Sequence, residues 1–106
     1  MTTPGHAPRP LLSFAIPTYQ HGHALPQALD SILASPRAAE VEIVVSNNAS
    51  TDDTAEVLAR YAARYPNVRG LNQPTNVTFD ENLACAMDAC TGRYIWTMSS
   101  DDALVD

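Results

Sequence analysis

The chain predicts an α/β protein, a Rossmann-like parallel sheet with helices on both faces in the order βαβαβαβ. Short β-rich apolar runs alternate with segments whose apolar residues recur at helical spacing. The connections between them are short, which implies right-handed crossovers and a parallel sheet, here of strand order 3-2-1-4. Every polar cluster stands at the C-terminal end of a predicted strand: Pro17-Thr18-Tyr19-Gln20, Ser46-Asn47-Asn48-Ala49-Ser50, Gln73 to Asn76, and Ser99 to Asp102. Sheets of this type bind ligands at that edge, near the switch in strand order.

Leu11 to Ile16 is a nearly continuous apolar run, read as a strand buried on both faces and stopped by Pro17. Leu25, Ala28, Leu29, Ile32 and Leu33 mark a first helix, with Pro26 tolerable in its first turn and Pro36 beyond its end. Val41 to Val45 is a second strand. Ser50 then reads as an N-cap with Asp53 three residues on, a near capping box, and Asp52 and Asp53 suit the positive helix end. That helix carries Val57, Leu58, Tyr61, Ala62 and Tyr65 on one stripe and stops before Pro66. Val68 to Leu71 is a third strand. Phe79, Leu83, Ala86, Met87 and Cys90 mark a third helix closed by Gly92. Tyr94 to Met98 is the fourth strand.

Residues 1–10 read as a flexible, Pro-rich leader without the apolar centre of a secretory signal, and residues 11–106 as one domain. A net charge of −6 argues against nucleic acid or anionic lipid as a partner. No apolar run approaches the roughly 20 residues of a membrane span. Cys85 and Cys90 would lie about 8 Å apart on a helix, too far for a disulfide. They read as buried free thiols in a reducing cytosol.

The polar clusters carry distinct chemistry. Asp101 and Asp102 leave the fourth strand side by side, and paired carboxylates suit a hard cation such as Mg²⁺ or Mn²⁺ that also takes phosphate oxygens. By itself an Asp pair in a loop is more often a solvated turn. Tyr19 can stack a base or sugar ring or cover the sheet edge, and Thr18 offers a hydroxyl. Asn47 and Asn48 present amides suited to a nucleobase edge, although for Asn47 simple turn chemistry is the preferred reading. His21-Gly22-His23 lacks the further ligands of a metal site. No GxGxxG, GxxxxGK[ST] or GxSxG is present, against dinucleotide, P-loop and esterase readings.

Four motifs in order resemble the N-terminal half of a family-2 glycosyltransferase: Ile16-Pro17-Thr18-Tyr19, Glu42 through Asp52, Asn76-Val77-Thr78-Phe79-Asp80-Glu81-Asn82, and Thr91 to Trp96 leading to Asp101-Asp102. The Asn-Ala-Ser-Thr-Asp and Phe-Asp-x-Asn forms look most like its abequosyltransferase-like branch. The resemblance implies a GT-A fold. It also implies transfer of a sugar from a nucleoside diphosphate sugar to an acceptor hydroxyl on a glycan or lipid-linked acceptor, with Mg²⁺ or Mn²⁺. By the same resemblance Pro17, Thr18 and Tyr19 line the nucleoside pocket, and Asn48 takes the place of a base-reading Asp. Asp101 lies near the ribose and Asp102 ligates the metal. The pathway implied is surface-polysaccharide or cell-envelope glycan synthesis, in the cytoplasm or peripheral to the inner face of the membrane.

Several positions depart from the family pattern. Gln20 replaces a usual Asn, Asn47-Asn48 replace Asp-Asp, and Glu81 stands where Arg is common. Thr78 replaces a usual Gly, where a positive φ would strain a β-branched residue. The family's acceptor site and general base lie in a second half, expected beyond Asp106, so the isolated chain is expected to be inactive, poorly soluble and open at its fourth strand. A non-catalytic nucleotide-sugar binder or interaction remnant is the alternative. A receiver-type phosphoacceptor domain would want a later Lys, and the chain has none.

Overall fold

The structure is a computed structural model that describes residues 10–100. The predicted leader, apart from Pro10, and both Asp101 and Asp102 lie outside the described residues. The elements are β1 (Leu12–Thr18), α1 (Leu25–Leu33), β2 (Val41–Asn47), α2 (Thr54–Arg64), β3 (Val68–Asn72), α3 (Phe79–Ala89) and β4 (Tyr94–Thr97), with a 3₁₀ turn at Ala38–Glu40 before β2. All strand pairs are parallel and the order is β3-β2-β1-β4, as predicted.

Alternation along β1 and β2 divides the core. Phe14, Ile16, Ile43 and Val45 point to one face, where Leu25, Leu29 and Ile32 of α1 and Val57 and Leu58 of α2 cover them. Ala15 and Val44 point to the other, under Ala86 of α3. Two successive crossovers run outward from β1 to β3 on the first face. The third returns past β1 on the opposite face, so the switch in strand order lies between β1 and β4.

Several local expectations give way to tertiary context. Pro17 does not stop β1, which runs on to Thr18. The ladder with β4 ends at the Ala15–Thr97 pair, so Pro17 has a strand on one side only and its missing N–H is tolerated. Ser50 does not cap α2, which begins four residues later. The N-cap is Asp53, whose side chain makes no capping bond; Asp52, one residue before it, accepts from Thr54 N at 3.0 Å and from the Thr54 hydroxyl. Gly92 does not close α3, which ends at Ala89 with an extended Cys90 as its cap. Gly92 is buried against β1, where a Cβ would meet Ser13 Oγ at 2.6 Å, and its N–H donates to that hydroxyl at 2.8 Å. Thr78 has φ −66° and needs no positive φ; its hydroxyl caps α3 by accepting from Glu81 N at 3.1 Å.

The apolar stripe assigned to α3 is also corrected. Phe79 is 65% exposed and Met87 is exposed, whereas Ala86 and the polar Asn82 are buried. The thiols are free but not fully buried, Cys85 exposed and Cys90 partly covered. Burial pushes the Cys90 thiol up, and the Glu42 carboxylate adds to that. β4 is an edge strand, as expected, with Tyr94, Ile95 and Trp96 exposed and Trp96 stacked on Phe14 at 5.8 Å.

Candidate functional site

The loops at the carboxyl edge are sewn together before any ligand arrives. Asn48 N donates to Thr18 O at 2.9 Å, and Gln73 N to Asn47 O at 2.9 Å, extending the ladders past the strand ends. Gln20 has φ 56° and Ala49 φ 53°, left-handed conformations uncommon outside glycine. The Gln20 amide holds that geometry: its Oε1 accepts from Thr51 N at 2.6 Å and Asp52 N at 3.2 Å, and its Nε2 donates to Thr51 Oγ1 at 2.8 Å. The Gln20 backbone N–H donates to Ser50 Oγ at 2.9 Å, and Gly22 N to Asp52 at 3.1 Å. Hydrogen bonds from the Thr54 hydroxyl, then from Thr54 N and Gly22 N against a smaller desolvation, hold the Asp52 carboxyl below its usual range.

Between β1, the β2–α2 loop, the start of α3 and the exit of β4 lies an open cavity of about 450 Å³. Pro17, Thr18 and Tyr19 line it from β1, Asn48 from the β2 side, and Asn76 and Val77 from the segment after β3. Phe79 and Asn82 close the α3 side, and His21, Ser99 and Ser100 the β4 side. Of the site residues predicted from sequence, Pro17, Thr18, Tyr19 and Asn48 are brought together here; Asp101 and Asp102 lie outside the described residues.

The side chains differ in how much capacity they have left. Tyr19 is 48% exposed and keeps a ring face open at the rim. Thr18 is 2% exposed, and its hydroxyl has no hydrogen-bond partner among the described residues. Asn48 is already engaged: Nδ2 donates to Val77 O at 2.8 Å and Oδ1 accepts from Val77 N at 2.7 Å. One N–H and one lone pair of that amide remain. Asn47 follows the turn reading, its Oδ1 accepting from Ser50 N and Ser50 Oγ and its Nδ2 donating to Asn72 Oδ1 at 3.0 Å.

Sequence reasoning gave Asn82 and His21 no role in this cavity. Asn82 clamps the start of α3 to the end of β2, donating to Ser46 O at 3.0 Å and accepting from Ser46 Oγ at 2.8 Å. An Asn among the apolar positions of a helix was the available signal. His21 Nδ1 lies 2.6 Å from Ser100 Oγ. Its ring meets that of His23 edge-on, and no group of three metal-ligating side chains occurs among the described residues. Glu81 sits exposed in the first turn of α3, where a carboxylate complements the helix N-terminus.

No carboxylate lines the cavity among the described residues; its polar groups are hydroxyls, amides and one imidazole. Ser100, 1% exposed, directly precedes Asp101 and Asp102 in the chain. Hard oxygen donors on that segment fit Mg²⁺ or Mn²⁺.

A doubly wound parallel sheet with a polar cavity at its switch point is a ligand-binding architecture. The chain belongs to glycosyl transferase family 2, whose family model matches residues 13–106. It is 36% identical over 97 residues to abequosyltransferase RfbV of Salmonella typhimurium, covering 89% of this chain and 29% of that protein. The mannosyltransferase PcManGT from Pyrobaculum calidifontis, in complex with GDP-Man and Mn²⁺, superposes with a TM-score of 0.80 at 25% identity, over 94% of this chain and 30% of that one. S. aureus TarS 1-349 in complex with UDP-GlcNAc shares the fold, with a TM-score of 0.78 at 24% identity over 88% of this chain and 27% of that one. The chain thus spans under a third of the relatives it matches, and its sheet is part of a GT-A fold.

Proposed function

We propose that these residues form the donor-binding part of an enzyme that transfers a sugar from a nucleoside diphosphate sugar to the hydroxyl of a glycan or lipid-linked acceptor. The observation that carries this reading is the unpartnered Thr18 hydroxyl, buried in a cavity at the switch point beside the open Tyr19 face. In this reading Pro17, Thr18 and Tyr19 hold the nucleoside, the remaining N–H and lone pair of Asn48 meet the base edge, and Asp101 meets the ribose. Asp102 would hold Mg²⁺ or Mn²⁺, whose Lewis acidity stabilises the departing nucleoside diphosphate.

The Mn²⁺ and GDP-Man held by PcManGT are consistent with this assignment. The pathway proposed is surface-polysaccharide or cell-envelope glycan synthesis on the cytoplasmic side. No helix among the described residues is long and apolar enough to cross a membrane.

The chain spans 29% of abequosyltransferase RfbV, and this reading leaves acceptor binding and the general base to the part of such enzymes that it does not span. General base catalysis alone contributes about 10²–10⁴-fold, so this chain is expected to bind donor without transferring sugar. Titration of UDP-, GDP- and CDP-sugars with and without Mn²⁺ tests the reading. Metal-dependent binding of one base class is the expected result. Binding of none, or turnover by the 106-residue chain, overturns it.

A further inference from the structure

The cavity is poor in positive charge for a site that would take a diphosphate. The ion pairs among the described residues, Arg37–Glu40 and Arg69–Glu42, involve no residue that lines it. Among the described residues, His21 is the only lining side chain that can carry positive charge. Its placement is tightly determined. The His21 carbonyl accepts from Ala24 N at 3.0 Å and Leu25 N at 2.8 Å, anchoring it at the head of α1. On one side stands the clamped, left-handed Gln20; on the other is Gly22, where an added Cβ would collide with Asp53. The ring itself is fixed by Ser100 Oγ, 2.6 Å from Nδ1 and buried.

The Ser100 hydroxyl can donate to Nδ1 or accept from it, and the protonation of Nδ1 decides what the other nitrogen presents. When the Ser100 hydroxyl donates to Nδ1, the neutral ring carries its proton on Nε2. When the ring is protonated, Ser100 accepts and Nε2 still carries a proton. In these two states Nε2 is a donor, whereas a neutral ring donating from Nδ1 would leave it an acceptor that a phosphate oxygen disfavours; hydrogen bonds to phosphate oxygens are among the stronger ones.

We propose that His21, oriented by Ser100, holds the diphosphate of the donor in this chain, supplying through Nε2 the contact that no Lys or Arg among the described residues supplies from the cavity wall. The proposal rests on the nucleotide reading above. It also gives the Ser100 segment a second link to the donor, since that segment continues directly into Asp101 and Asp102.

Calorimetric titrations of UDP, GDP, uridine, guanosine and inorganic pyrophosphate, each with Mg²⁺, test it in the native chain and in His21→Phe, His21→Gln and Ser100→Ala. His21→Phe is expected to weaken the preferred nucleoside diphosphate about tenfold while leaving its nucleoside within about twofold. Gln, which places an amide donor near the Nε2 position, should recover part of the loss even if Phe disturbs the fold. Ser100→Ala should move affinity in the same direction, about threefold. Equal losses for nucleoside and diphosphate, or no loss, overturn the proposal. If the native chain binds no nucleoside and no nucleotide, the nucleotide reading falls. Pyrophosphate then decides the His21 contact by itself: binding that His21→Phe weakens upholds it, and binding unaffected by the variant, or absent in the native chain, overturns it.

Discussion

At Thr18 a hydroxyl sits in a residue 2% exposed, with no partner among the described residues. An unsatisfied buried polar group costs about 1–3 kcal/mol, so the free protein carries a penalty that a ligand acceptor or donor would relieve. Thr18→Val keeps the β-branched shape and removes the oxygen. The variant should be more stable than the parent by about 1 kcal/mol in urea denaturation, while its nucleotide affinity falls several-fold. A loss of stability would mean the hydroxyl is already satisfied. Thr18 and Tyr19 were legible in the sequence because they follow a buried run at a strand end. The engagement of Asn48 with Val77 was not, because those partners are 29 residues apart. Residue type shows that an amide can donate and accept; only the fold shows to whom.

Loop geometry belongs to the next scale. The β1–α1 and β2–α2 connections are locked by one amide, Gln20, bridging about 30 positions of sequence to Thr51 and Asp52. Gln20→Ala should leave the strands intact and cost about 1 kcal/mol. Amide hydrogen exchange at Thr51 and Asp52 should accelerate, with exchange in β1 and β2 unchanged; uniform acceleration would show that the clamp stabilises the whole fold instead. This clamp also explains why the Ser50 cap expected from sequence does not form. Ser50 Oγ is taken by Asn47 and by Gln20 N, so Asp52, two residues closer to α2, serves the helix start. Several residues satisfy the local rule for a cap, and long-range contacts select among them.

Across the whole molecule, the polar network opposite the ligand edge ties β1, β2, β3 and the α3–β4 turn through one carboxylate. Glu42 accepts from Ser13 Oγ at 2.8 Å, Thr91 N at 2.8 Å, Arg69 Nη1 at 3.1 Å and Thr91 Oγ1 at 3.1 Å. Desolvation pushes this carboxyl up, but the hydrogen bonds from Thr91, Ser13 and Arg69 together outweigh it and leave it below the usual value. Its contribution to stability is therefore complete above the unfolded-state pKa, about 4.3, and is lost as pH falls through the lower folded-state value. Glu42→Gln should cost about 1–2 kcal/mol at neutral pH, and the urea midpoints of parent and variant should converge in acid below about pH 4. A gap that persists there would assign the effect to shape instead of charge. At the same scale β4 is an edge strand among the described residues, beside exposed Tyr94, Ile95 and Trp96, and such an edge is prone to strand pairing.

The periodicities of the chain were enough for its class, its element order and its strand order. Burial on both faces of Phe14 to Ile16 and Ile43 to Val45 demands a parallel sheet covered on both sides, and right-handed crossovers leave few arrangements. Residue type likewise marked Thr18, Tyr19 and Asn48 as polar groups at strand ends. Tertiary structure decided which of those groups remain available. Asn47 and Ser50 were consumed by the scaffold, Thr18 was left unpartnered, and His21, Asn82 and Ser100 were drawn into the same cavity from distant segments. Hydrogen-bond partners separated by 30 to 80 positions depend on how helices seat against the sheet, and no local pattern in the chain encodes that seating.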